Sequence, residues 1–228
     1  MQQREGENLR NLIIGSSGGI GQAIANELRD AGQEVVGLSR SADGLDITSE
    51  KDVIDAARTL SGEFDRILVV TGALRDGDHL PEKTIKSIDP EAMQVLFAIN
   101  ALGPALCLKH FYELLPKDRR SVFACFSARV GSIGDNRLGG WVSYRASKAA
   151  LNQIVRTSAI EIARKRPQAI CVAYHPGTVQ TDLTQQFLTG HSYVSPQEAA
   201  RNAVRVFDNL SEKETGRFFD WRGEEVLW

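Results

Sequence analysis

Short apolar runs alternate with longer amphipathic segments along most of the chain. Leu12-Ile13-Ile14 reads as a buried strand, and Ile20, Ile24 and Leu28 then fall on one helical stripe. Glu34 to Leu38 is a second apolar strand. Ser39 to Ile47 leaves room for only a short connection before a helix near Glu50 to Leu60. The pattern then predicts a strand over Arg66 to Thr71, one long helix over Pro90 to Leu115 and a strand over Ser121 to Ser127. A helix over Trp141 to Lys165, a strand over Ala169 to Tyr174 and a helix over Pro196 to Leu210 follow. With a closing strand near Arg217 to Phe219, the expectation is a doubly wound, three-layer α/β/α protein with a parallel sheet of about seven strands. Right-handed crossovers in such a sheet place ligands at the carboxyl ends of the strands, where the strand order reverses.

Candidate chemistry sits at those ends. The first strand runs into Gly15-Ser16-Ser17-Gly18-Gly19-Ile20-Gly21 and then a helix. A strand, a glycine-rich turn and a helix N-terminus make an anion site: the glycines let backbone approach a pyrophosphate, and free N–H groups with the helix dipole favour negative charge. Tyr144 and Lys148 lie four residues apart, hence on one helix face. Such a pair is often an ordinary solvated surface. Beside a nucleotide site it suggests acid–base chemistry, because a cation about 4 Å from a phenol contributes ~4 kcal/mol at an effective dielectric of ~20. That is enough to bring a pKa of ~10 towards neutrality.

Composition narrows the possibilities without choosing among them. The 228 residues suit one α/β domain over residues 9–228, with a polar start, residues 1–8, expected to be a loose tail. Lysine and arginine number 27 against 29 acidic residues, a balance that gives no long-range attraction for nucleic acid or an anionic membrane. Cys107, Cys125 and Cys171 are scattered in apolar sequence, which argues for reduced core thiols and a cytoplasmic location rather than disulfides or a zinc site. No unbroken apolar run reaches ~18 residues, so no membrane span is expected. His79 and His191 have no Cys or carboxylate partner at helical spacing, and no metal site is expected.

Two motifs in this order resemble the short-chain dehydrogenase/reductases in their single-domain Rossmann form. Gly15, Gly19 and Gly21 match the family's G-x-x-x-G-x-G frame, and Tyr144 with Lys148 match its active-site motif. The resemblance covers nearly the whole chain. Leu45-Asp46-Ile47 is similar to the segment whose Asp contacts the adenine, and Asn100 is similar to the helical asparagine of the catalytic tetrad. His175 to Asp182 resembles the Pro-Gly segment beside the nicotinamide. Ser127 to Ile133, Gly139-Gly140-Trp141 and Gly216 to Trp221 resemble the C-factor-like branch most closely.

The resemblance implies hydride transfer between NAD(P) and the carbonyl or alcohol of a small, fairly apolar substrate, with Tyr144 as general acid/base. Lys148 would lower the tyrosine pKa and hold the nicotinamide ribose, and Asn100 would hold a water that links the lysine to solvent; the bland reading of Asn100 is a helix-kink residue bonding backbone. The cofactor contacts it implies are Gly15, Ser16, Ser17, Gly19, Ile20, Gly21, Ser39, Arg40, Asp46, Ile47, Thr71, Gly72, Ala73, Asn100, Tyr144, Lys148, Pro176, Gly177, Val179 and Thr181. At the end of the second strand Ser39 followed by Arg40 favours NADP over NAD, because a guanidinium can take a phosphate bidentately. Asp43 turning inward would favour NAD instead.

Thr71-Gly72-Ala73 replaces the family's usual Asn-Asn-Ala-Gly turn. Ala128 stands where the family commonly places its catalytic serine, which leaves Ser127 or, beyond Gly131, Ser132 for that role, with Ser127 favoured. Arg129 reads as a loop or interface charge, and His175 as a strand-end residue with a structural bond. Residues 73–81, 132–141 and 183–194 are the segments expected to line a substrate pocket, the last as a lid carrying Phe187, Leu188 and Tyr193. Helices 90–115 and 141–165 correspond to those that related enzymes use to form homodimers or homotetramers. The rival reading is a cofactor-binding signalling or regulatory protein with little turnover.

Overall fold

The computed structural model describes residues 9–77, 79–181, 184 and 193–228. The expected tail over residues 1–8, most of the expected lid, and with it Phe187, Leu188 and His191, lie outside the described residues.

Six strands form one parallel sheet. They are β1 (Arg10–Ile14), β2 (Glu34–Leu38), β3 (Arg66–Val69), β4 (Ser121–Phe126), β5 (Ala169–His175) and β6 (Phe218–Asp220), in the order β2-β1-β3-β4-β5-β6. Among the described residues the sheet therefore has six strands where about seven were expected. After β2 the chain makes only a four-residue helix, α2 (Arg40–Asp43), capped by the Ser39 hydroxyl and ended by left-handed Gly44. It then passes directly to α3 (Glu50–Thr59). A connection that short has no length for a crossover and a further strand, so β2 stays at the edge.

Strand alternation sorts the core into two apolar layers. Ile13, Leu68, Ala124, Val172 and Tyr174 face α1 (Gly19–Asp30) and α7 (Pro196–Asn209), contributing to a cluster with Ile24, Leu28, Ala203 and Phe207. Leu12, Ile14, Val69, Phe123 and Cys171 face the other side, packing with Val53, Leu108, Phe111, Leu151 and Val155. Helices α4 (Pro90–Phe97), α5 (Gly103–Phe111) and α6 (Val142–Lys165) cover that side. Cys107, Cys125 and Cys171 are free and buried there, and burial pushes the thiols of Cys107 and Cys171 up to about 12.

The segment expected as one helix over Pro90 to Leu115 is α4, a π-helical turn at Ala98–Leu102, α5 and a short 3₁₀ turn at Tyr112–Leu114. By length and averaged composition Pro90–Leu114 could cross a membrane. Counting unbroken apolar runs missed that, because polar residues interrupt it. Here Leu96, Ala101, Cys107, Leu108 and Phe111 are buried in the protein.

Candidate active site

The strand order reverses between β1 and β3, and the loops at the carboxyl ends of β1, β3, β4 and β5 meet there. After β1, Gly15 adopts φ +92°, and the amides of Gly15 and Ser16 both donate to Leu38 O, at 2.8 and 3.2 Å. A Cβ on Gly21 would collide with Gly15 O, so this turn packs backbone against backbone. Gly18 caps α1 with no side-chain bond, which leaves the first-turn N–H groups available to an anion. Ser17 and Gly19 are exposed at the same turn, and Ile20 reaches the cleft described below.

At the end of β2 the Ser39 amide donates to Asp43 Oδ2 at 2.7 Å, while the Ser39 hydroxyl accepts from Ala42 N. Asp43 thus closes back on Ser39 while remaining exposed, and Arg40 extends into solvent. Asp46 accepts from the hydroxyl and amide of Thr48, at 2.7 and 2.8 Å, and those bonds hold its carboxyl below the usual range. Ile47 is buried, and its side chain occupies the space a Cβ on Gly103 would need.

Beyond β3, Asn100 clamps Ala73 from both sides. Its Oδ1 accepts from Ala73 N at 2.9 Å, and its Nδ2 donates to Ala73 O at 2.7 Å and to Ser147 Oγ at 3.1 Å. The asparagine sits in the π-helical turn, and its side chain is committed to backbone and serine, the bland one of the two roles expected for it. Thr71 Oγ1 is buried without a partner, and Gly72 lies so close to Lys148 that a Cβ would come within 3.2 Å of Nζ.

Beyond β4, Lys148 Nζ donates to Phe126 O at 2.9 Å. Ser127 Oγ donates to Asn152 Oδ1 at 2.6 Å, and Asn152 Nδ2 donates to Gly131 O at 3.2 Å. Ser127 lines the cleft. Ser132 is turned into its own loop, where its hydroxyl accepts from Asp135 N. Arg129 pairs with Asp135 at 2.6 Å and also lines the cleft.

Tyr144 and Lys148 face the cleft from α6. Burial raises the Tyr144 phenol above its ordinary value and lowers Lys148 to about 8. The expectation that Lys148 depresses the tyrosine pKa is therefore corrected. The two side chains share a helix face, but the ammonium is drawn to a β4 carbonyl and no hydrogen bond joins it to the phenol. His175 at the end of β5 also departs from expectation: its Nδ1 is buried without a partner, and burial lowers the ring to about 4. Gly177, at φ +82°, lies against Trp221, where a Cβ would come within 3.0 Å of the indole.

These elements enclose a cleft of about 710 Å³. Of the expected site residues it is lined by Ile20, Thr71, Gly72, Ser127, Tyr144, Lys148, Pro176, Gly177, Val179 and Thr181. Gly15, Ser16, Gly21, Ser39, Arg40 and Asp46 lie away from its walls, on the β1 and β2 side. Val179, before the expected lid segment, bridges Val194 at that segment's far end. Sequence reasoning missed Asn152 and Ser147, which hold site residues from a distance in the chain, and the cleft-facing Arg145. Among the described residues no group of three or more His, Cys, Asp or Glu could hold a metal ion.

The glycine cradle, the uncapped α1 terminus and the orphaned Thr71 hydroxyl fit a dinucleotide running from β2 to the cleft. Comparison with known proteins gives the same class. Residues 14–211 match the family described as Enoyl-(Acyl carrier protein) reductase. The chain is 32% identical to 1-hydroxy-2-glutathionyl-2-methyl-3-butene dehydrogenase of Rhodococcus sp. (strain AD45), over 95% of this chain and 98% of that protein. It is 38% identical to C-signal of Myxococcus xanthus over 62% of this chain and 81% of that one. A Burkholderia multivorans short-chain dehydrogenase/reductase solved with bound NADP superimposes with a TM-score of 0.81 and 29% identity, covering 97% of this chain and all of that one. The chain belongs to the short-chain dehydrogenase/reductase family, a family of oxidoreductases.

Proposed function

We propose that the protein is an NADP-dependent oxidoreductase that interconverts a carbonyl and an alcohol on a small, fairly apolar substrate, with Tyr144 as the acid/base. The observation that carries this reading is the convergence of Tyr144, Lys148 and Ser127 on one cleft at the sheet's switch point. When bound, the nicotinamide supplies or accepts the hydride.

The residues then divide the remaining work. Gly15, Ser16, Ser17, Gly19, Ile20 and Gly21 bind the pyrophosphate through backbone. Ser39 and Arg40 take the adenosine phosphate, Asp46 and Ile47 border the adenine, and Thr71, Gly72 and Ala73 pass beside the riboses. Pro176, Gly177, Val179 and Thr181 border the nicotinamide side. Lys148 offers its ammonium to the ribose hydroxyls, and Asn100 fixes the Ala73 turn beside it. Burial keeps the Tyr144 phenol protonated at neutral pH, so in the reductive direction it donates a proton to the developing alkoxide. The Ser127 hydroxyl polarises the substrate oxygen after exchanging its Asn152 bond.

NADP is preferred because the Burkholderia relative was solved with it bound and because Arg40 is exposed at the end of β2, where it can meet a phosphate. Asp43, facing Ser39, works against that preference. The protein is further proposed to be a homodimer or homotetramer through the outer faces of α4–α5 and α6, where Leu102 and Ile160 are exposed, and to reside in the cytoplasm. A regulatory role with little turnover is the second reading, favoured by the similarity to C-signal and by Ala128 in place of the usual serine. Following NADPH and NADH oxidation over aldehydes, diketones and quinones separates the two. Turnover lost in Tyr144→Phe supports the enzyme, whereas saturable NADPH binding with no turnover in either protein supports the regulator.

A further inference from the structure

Helix α6 begins under conditions that should leave it poorly anchored. Gly139, Gly140 and Trp141 are three consecutive left-handed residues, and Trp141, at φ 53°, is the one non-glycine with positive φ among the described residues. A left-handed conformation costs a residue with a Cβ roughly 1–2 kcal/mol. Trp141 occupies the N-cap position, and its indole has no acceptor with which to cap the helix amides.

The missing cap comes from a remote segment. Glu82 O accepts from Trp141 N at 2.6 Å, and the Glu82 carboxylate accepts from Ser143 N at 3.2 and 3.3 Å and from the Ser143 hydroxyl. Glu82 is 8% exposed and Ser143 1% exposed, on a stretch whose neighbours Leu80 and Ile85 are largely in solvent. A buried carboxylate held there by an exposed loop is costly unless its bonds are made, and those it makes among the described residues go to the first turn of α6. That turn carries Tyr144, whose ring meets the Trp141 indole edge-on at 6.2 Å. The loop from β3 to α4 is thus gripped at both ends, by Asn100 on Ala73 and by Glu82 on α6.

We propose that Glu82 is a positioning residue for Tyr144: it supplies in trans the N-cap of α6, holds Trp141 in its left-handed conformation, and so fixes the phenol against the cleft. The inference rests on the reading of Tyr144 as the acid/base. It predicts that the loss of Glu82 lowers the rate of the chemical step more than it weakens binding.

The test compares wild type, Glu82→Ala, Glu82→Gln and Tyr144→Phe for kcat and KM on a carbonyl substrate found in the panel above, together with NADPH affinity and stoichiometry by fluorescence titration. Glu82→Ala should lose roughly ten- to a hundredfold in kcat, the scale of a misplaced catalytic group, with KM and NADPH affinity within about threefold. Glu82→Gln, whose amide oxygen still accepts from Ser143 N, should recover most of the loss. A folded Glu82→Ala protein with kcat within about twofold of wild type, beside an inactive Tyr144→Phe, overturns this inference alone. Wild-type turnover in Tyr144→Phe overturns the acid/base reading and this inference with it. Should Glu82→Ala not fold, Ser143→Ala decides: it keeps the backbone bond and removes the hydroxyl bond, so a fall of several-fold in kcat at constant KM supports the proposal, and an unchanged kcat contradicts it.

Discussion

Tyr144, Lys148 and His175 line one cleft, and burial acts on all three in the direction that disfavours charge. The phenol is held protonated, the ammonium is poised near 8, and the imidazole is neutral. Replacing Tyr144 by Phe removes the hydroxyl of the proposed proton donor while keeping the ring. Steady-state turnover should fall about 10²–10⁴-fold with NADPH affinity unchanged. His175 carries a pH signature. Its folded value of about 4 lies below its ordinary 6.5, so between these the unfolded chain binds the extra proton. Stability is therefore complete above about 6.5 and declines as pH falls towards about 4. Urea titrations should show wild type losing about 1–2 kcal/mol more than His175→Gln between pH 7.5 and pH 5. At this scale the motif residues were legible because their types and spacing are local. Lys148's turn towards Phe126 O and the orphaned His175 nitrogen were not, since both depend on which carbonyls and side chains other elements bring within reach.

The elements show the same division. Each strand could be read from its apolar run, and the short Ser39 to Ile47 connection already implied that a unit was curtailed, yet the strand total was set one too high. The π-helical turn at Ala98–Leu102 left no trace in periodicity, because one widened turn barely shifts an amphipathic pattern. It matters because Asn100 projects from it. Asn100→Ala takes two hydrogen bonds from the half-buried Ala73 backbone, each worth about 0.5–1.5 kcal/mol. Chemical denaturation should register that loss, together with a raised KM for the cofactor. Gly21→Ala tests the β1–α1 turn. Its methyl would meet Gly15 O, so the turn must open, and we expect destabilisation of about 1–3 kcal/mol and weakened dinucleotide binding by calorimetry.

For the molecule as a whole, the sheet's switch point decides where a nucleotide can lie, and the β2 end decides which one. Arg40 in solvent and Asp43 folded onto Ser39 pull the choice in opposite directions. If Arg40 meets the phosphate, Arg40→Ala should weaken NADPH binding about ten- to a hundredfold, the worth of a charge-assisted hydrogen bond, while NADH binding changes little. Equal effects on both cofactors would mean that Arg40 acts elsewhere. The order of elements and both signature motifs made this architecture legible from sequence. Asp43's bond to Ser39 was not legible, because a four-residue helix can present its acid to either side.

The central claim is proton transfer through Tyr144 at the switch-point cleft. Its most direct measurement follows NADPH oxidation at 340 nm across aldehydes, diketones and quinones with wild type and Tyr144→Phe side by side. Wild type should turn over at least one carbonyl class, with near-complete loss in Tyr144→Phe at undiminished NADPH affinity. Turnover that survives the substitution, or tight NADPH binding with no turnover on any carbonyl, would contradict it.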